Sequence, residues 1–88
     1  VLEWNKTINS ERQANLSEAL GKPNIPASEI LHNLIDGLGM PRNLTTVGVK
    51  REQFQQLAEN CMLDDWTFSN PRKINTPEQV IEILELAI

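Results

Sequence analysis

The stretch that most limits how this chain can fold is its last, "TPEQVIEILELAI", residues 76 to 88. Its first residues spell a helix start. Thr76 is an N-cap, Pro77 sits in the first turn where its missing N–H is not needed, and Gln79 closes a capping box three residues after the cap. Beyond them Val80, Ile81, Ile83, Leu84, Leu86, Ala87 and Ile88 leave only Glu78, Glu82 and Glu85 as a narrow polar stripe. A helix apolar around most of its girth is buried on several sides. Whatever else the chain forms must therefore supply apolar surface to cover it.

The other segments offer thin stripes. Ser10 and Gln13 form a capping-box pattern ahead of a helix with Leu16, Ala19 and Leu20, ended by Gly21 as a left-handed cap. Pro26 suits the first turn of a second helix, on which Ile30, Leu31, Leu34, Ile35 and Leu38 recur at helical spacing until Gly39 and Pro41 stop it. A connector studded with Leu44, Val47 and Val49 leads to a third helix over about 51–63, with Phe54, Leu57, Ala58, Cys61 and Met62 on one face. No period-two alternation and no internal repeat is present. The expected class is all-α, a four-helix-like array within one domain, 1–88. The opening "VLEWN" reads as the last turn of a helix begun upstream. With the poorly covered last helix, it predicts a piece of a larger domain.

Charge excludes some partners. Twelve acidic and eight basic side chains give a net charge of −4. Phosphate binding needs a cationic face, so a nucleic acid is not expected, nor an anionic membrane surface. No apolar run exceeds three residues, so no membrane-spanning helix is expected. The single cysteine, Cys61, cannot close an internal disulfide, which points to a reducing compartment, the cytoplasm.

Catalysis needs a constellation, and none is spelled out. His32 and Asp36 stand one helical turn apart, but two ligands without a third do not hold a metal. The pair reads as a half-exposed local ion pair. Cys61 lies on an apolar helix face with no histidine at helical spacing, and reads as a small core residue. Asp64 and Asp65 follow a helix end, where one of them can anchor a turn through backbone N–H groups. Gly37, Gly39 and Gly48 make no phosphate-binding loop. No catalytic, cofactor-binding or metal-ligating residue is expected within 1–88. What remains odd is "DDWTFSNPRKI" at 64–74, a helix linker with two bulky aromatics.

Leu38-Gly39-Met40-Pro41, then Leu44 to Val49, Leu57-Ala58 and Asn70-Pro71-Arg72 follow one another as in the carboxyl-terminal end of the iron-containing alcohol dehydrogenases, which this chain resembles over nearly its whole length. The related maleylacetate reductases share this end in looser form. The resemblance implies a two-domain enzyme. An amino-terminal α/β domain binds NAD or NADP, and a helical carboxyl-terminal domain holds a divalent metal, iron or zinc, through one Asp and three His. Residues 1–88 would be the last part of the helical domain, beyond the metal site, with the rest of the enzyme as partner and a small alcohol or carbonyl compound as substrate. The resemblance also implies that the segment ahead of Asn-Pro-Arg passes close to the substrate cavity. Trp66, Thr67 and Phe68 are then candidates for its wall, with Asn70 and Arg72 fixing the loop. The alternative is that Trp66 and Phe68 seal the junction between the last two helices. A different class of function, a stand-alone interaction module, would use Ile30, Leu34 and Leu38 or the face of the last helix to dock a partner or a second copy.

Overall fold

The computed structural model describes residues 1–88 and is all-α, as the periodicity predicts. Four α-helices run in order: α1 (Leu2–Ala19), α2 (Ala27–Gly37), α3 (Phe54–Cys61) and α4 (Pro77–Ala87). Three short 3-10 turns, Thr45–Val47, Arg51–Gln53 and Asp65–Ser69, lie in the connections. The chain forms two compact units, Val1–Arg42 and Asn43–Ile88.

In the first unit α1 packs on α2. Helix α1 is broken at Asn9, whose backbone (φ −124°, ψ 35°) is not helical. The break is sharp. A straight helix would set residues 2 and 13 about 16 Å apart along its axis, yet the Gln13 amide donates to the Leu2 carbonyl at 2.8 Å. The same amide donates to Asn9 Oδ1, also at 2.8 Å. Gln13 thus braces the bend instead of closing a box with Ser10. The core of this unit is Trp4, Ala27 and Ile30, with Asn5 and Ser17 buried among the polar residues. The stripe expected on the second arm is displaced: Ser17 is buried, Leu16 is half-buried and Leu20 is exposed. The bend at Asn9 rotates which face of that arm meets α2, and a 3.6-residue pattern cannot register a bend.

Both helices of this unit end alike. After α1, Gly21 (φ 79°) donates to the Glu18 carbonyl and Lys22 to that of Ser17. After α2, Gly39 (φ 70°) donates to Asp36 and Met40 to Ile35. This 5→2 and 6→1 pairing around a left-handed residue is the Schellman motif, and it occupies carbonyls the helix leaves without partners. Pro26 stands one residue before α2, with an extended ψ of 135°.

In the second unit α3 packs on α4 around Phe54, Ala58, Ile74 and Val80. Ala58 is fully buried, as a small residue is where two helices approach closely. At the start of α4, Gln79 Oε1 accepts from the backbone N–H groups of Thr76 (3.1 Å) and Asn75 (2.7 Å), the reciprocal arm of the expected capping box. Gln53 does the same for Lys50 N–H ahead of α3, at 2.9 Å. The connector closes the far end of α4: Leu44 N–H donates to the Ala87 carbonyl at 2.8 Å and Thr45 Oγ1 to that of Ile88 at 3.1 Å. Arg51 binds both carboxylate oxygens of Glu85 on α4 through Nε, at 3.1 and 3.2 Å. Along α4 only Val80 is buried; Ile81, Ile83 and Leu84 are half-buried and Leu86 is 57% exposed. Helix α3 covers one side of this apolar cylinder.

Candidate functional site

The linker between α3 and α4 is built by its own small polar side chains. Asp64 Oδ1 accepts from Trp66 N–H at 3.0 Å and starts the 3-10 turn Asp65–Ser69. Asp64 is thus the anchoring member of the acidic pair. Thr67 Oγ1 donates to the Cys61 carbonyl at 2.6 Å, tying the turn to the last residue of α3. Ser69 Oγ donates to the Trp66 carbonyl at 2.7 Å. Asn70 Nδ2 donates to the Arg72 carbonyl at 2.6 Å, which holds the Asn-Pro-Arg turn. Ile74 then enters the core. Short side chains bonding nearby backbone in this way favour turns over helix or strand.

Against this fixed backbone Trp66 and Leu63 lie open to solvent, while Phe68 is partly covered. Trp66 is 81% exposed, Leu63 84% and Phe68 46%. Thr67, Asn70 and Arg72 are half-buried. Trp66 therefore fills no part of the α3–α4 core. The exposure of Leu63 was not anticipated: it follows Cys61 and Met62 and extends the α3 stripe in sequence, but the helix ends before it.

The other chemistry-bearing residues do not join this loop. His32 is exposed on α2, and its Nε2 accepts from Arg42 Nε at 2.7 Å. Asp36 pairs with Arg42 Nη1 at 3.3 Å, so the two α2 residues meet through an arginine and not directly. No three His, Cys, Asp or Glu side chains are grouped to hold a metal ion. Ile30, the first residue of the alternative docking face, is buried, while Leu34 and Leu38 are exposed. In the first unit an open depression of about 260 Å³ is lined by Lys6, Ser10, Gln13 and residues 23–28, the loop and the first residues of α2, with no carboxylate or histidine in its wall. One carboxylate is perturbed: hydrogen bonds from the Lys6 ammonium, first, and the Ser28 hydroxyl hold the Glu3 carboxyl below its ordinary value. No helix is long and apolar enough to cross a membrane.

The family described as "Fe-containing alcohol dehydrogenase family, C-terminal" matches residues 1–88. A 1,3-propanediol dehydrogenase of Citrobacter freundii is 32% identical over 96 aligned residues, covering 99% of this chain and 24% of that protein. Alcohol dehydrogenase 4 of Saccharomyces cerevisiae is 44% identical over 57 residues, 65% of this chain and 15% of that protein. Dehydrogenase FUM7 of Gibberella moniliformis is 39% identical over 59 residues, 67% of this chain and 14% of that protein. The chain thus spans a quarter or less of the length of these relatives. No solved structure matches it significantly. With its all-α fold and a family match that runs from the first residue to the last, this chain belongs to the Fe-containing alcohol dehydrogenase family and represents its carboxyl-terminal region.

Proposed function

We propose that residues 1–88 serve as the last part of the helical domain of a two-domain, cytoplasmic, NAD(P)-linked alcohol dehydrogenase that interconverts a small alcohol with an aldehyde or ketone. The reactive centre lies in residues outside this segment. A divalent metal of such an enzyme, iron or zinc, polarises the substrate oxygen when bound, and hydride exchange belongs to the nicotinamide. No step of that chemistry is assigned to a residue here. The segment's own part is to wall the substrate cavity with Trp66, Thr67 and Phe68 and to keep that wall in one shape through Asn70 and Arg72.

The observation that carries this reading is the contrast within 64–74. A solvent-facing indole on a backbone tied at Asp64, Thr67, Ser69 and Asn70 has large apolar area and little freedom. Apolar walls with a few polar groups are what small-molecule sites use. The faces of α2 and α4 that stay exposed are proposed to pack against the rest of the enzyme, and the segment alone is proposed to associate with itself through them.

Trp66→Ala in the complete enzyme tests the pocket role. The expected outcome is a shift in relative kcat/KM among alcohols of different size, with thermal stability almost unchanged. Lost stability with unchanged preference would assign Trp66 to packing. The family-level reading has its own test: the protein extended through the coding sequence ahead of Val1 is expected to oxidise alcohols with NAD or NADP.

A further inference from the structure

The 64–74 turn spends its small polar side chains on its own backbone. Asp64 Oδ1 accepts from the Trp66 N–H, and the Thr67 and Ser69 hydroxyls donate to the Cys61 and Trp66 carbonyls. The Asn70 amide donates to the Arg72 carbonyl. A hydroxyl carries one proton, so Thr67 and Ser69 have none left to give. The Arg72 residue is engaged as well. What the turn still presents is apolar: Leu63 and Trp66 stand open to solvent and Phe68 is partly covered. The aromatics bring a single polar group, the Trp66 indole N–H, which donates and cannot accept.

The remaining charges flank the aromatics. Asp65 precedes them and Lys73 follows them, both exposed. Their signs are opposite, so this stretch sets up no net field to draw a substrate of either charge. A surface of this kind discriminates by what a substrate carries away from its reacting oxygen. Methyl and methylene groups gain by leaving water for it. A second hydroxyl loses its water partners there and finds at most one donor in return, with its own proton left unbonded. We propose that the substrates of the complete enzyme are alcohols and carbonyl compounds whose remainder is alkyl or aryl, and that Trp66 and Phe68 disfavour diols and polyols. The preference rests on the wall assigned to these residues under Proposed function and adds to it the class of substrate.

Two alcohols of nearly equal shape provide the test. n-Butanol and 1,3-propanediol differ by a methyl against a hydroxyl at the end far from the reacting carbon. In the complete enzyme, kcat/KM for n-butanol is expected to exceed that for the diol by about 10- to 100-fold, the range open to an apolar site that meets an added hydroxyl. Trp66→Ala is expected to cut this ratio several-fold. Trp66→Phe keeps an aromatic face and loses the N–H, and is expected to preserve it. A parent enzyme that takes the two alcohols equally, or favours the diol, overturns the preference. If Trp66→Ala still reorders unbranched alcohols by size in that case, the wall stands and only the substrate class falls. A ratio unchanged in Trp66→Ala, or lost as fully in Trp66→Phe, also overturns the proposal. The parent ratio needs no variant, so it decides even where a variant does not fold.

Discussion

At the scale of single residues, Ala58 is the tightest point of the second unit, with no exposed surface between α3 and α4. A Cβ-only side chain there sets the helix separation. Ala58→Leu is expected to overpack the junction and cost about 1–3 kcal/mol, read as a lowered denaturant midpoint with little change in helix content. Glu3 carries a different sensitivity. Its carboxyl is held below the ordinary value by Lys6 and then Ser28. A depressed folded-state value means the ionised form favours folding. That contribution is complete above the unfolded value of about 4.3 and disappears as pH falls through the lower folded value. Ser28→Ala is therefore expected to lower Tm slightly where Glu3 is ionised and to converge with the parent chain once the pH has fallen below the lower folded value. The effect is small because Glu3 and Lys6 remain 43% and 57% exposed. A difference that widens on acidification would contradict the sign.

At the scale of elements, what could be read from the sequence was what neighbouring residues decide among themselves. Thr76, Pro77 and Gln79 set the start of α4 within one turn of chain, and Gly21 and Gly39 mark their helix ends because few other residues take a positive φ. What depended on distant partners was hidden. Nothing in "INSERQ" announces that Gln13 will reach Leu2 and hold a bend at Asn9, nor that Ser17 will be buried where Leu20 is not. The 64–74 link was legible in part. Its aromatics and Asn-Pro-Arg drew attention, but the roles of Thr67 and Ser69 as backbone ties emerge only once the turn has a shape. Because Asp64 starts that turn, Asp64→Ala is expected to cost about 1 kcal/mol, the usual value of a lost cap. It should speed amide hydrogen exchange across 65–70 while α3 and α4 keep their protection. Uniform loosening of the whole second unit would mean that the loop is not an independent local structure.

At the scale of the whole molecule, the segment is short of cover. On α2, Leu34 is 52% and Leu38 68% exposed, and Met40 beyond the helix end is 59% exposed; on α4, Leu86 is 57% exposed. Isolated exposed apolar residues are ordinary, whereas several on one helix face offer apolar surface to other protein. The 88-residue chain is expected to form dimers or larger species with rising concentration in sedimentation, and Leu38→Glu to reduce that association without reducing helix content. A strictly monomeric parent chain at high concentration would remove the case for an uncovered face. The incomplete burial of α4 was legible in the sequence, because a helix apolar around most of its girth cannot be wrapped by one neighbour. The two-unit division was not legible there.

The two tryptophans fall one in each unit, Trp4 shielded at 4% exposure and Trp66 open to solvent at 81%. With no tyrosine in the sequence, the chain carries its own pair of optical reporters. Blue-shifted emission follows the interior of residues 1–42, and red-shifted, acrylamide-quenched emission follows the rim of the 64–74 turn. Whatever comes to rest against that rim announces itself as lost quenching, before any activity is measured.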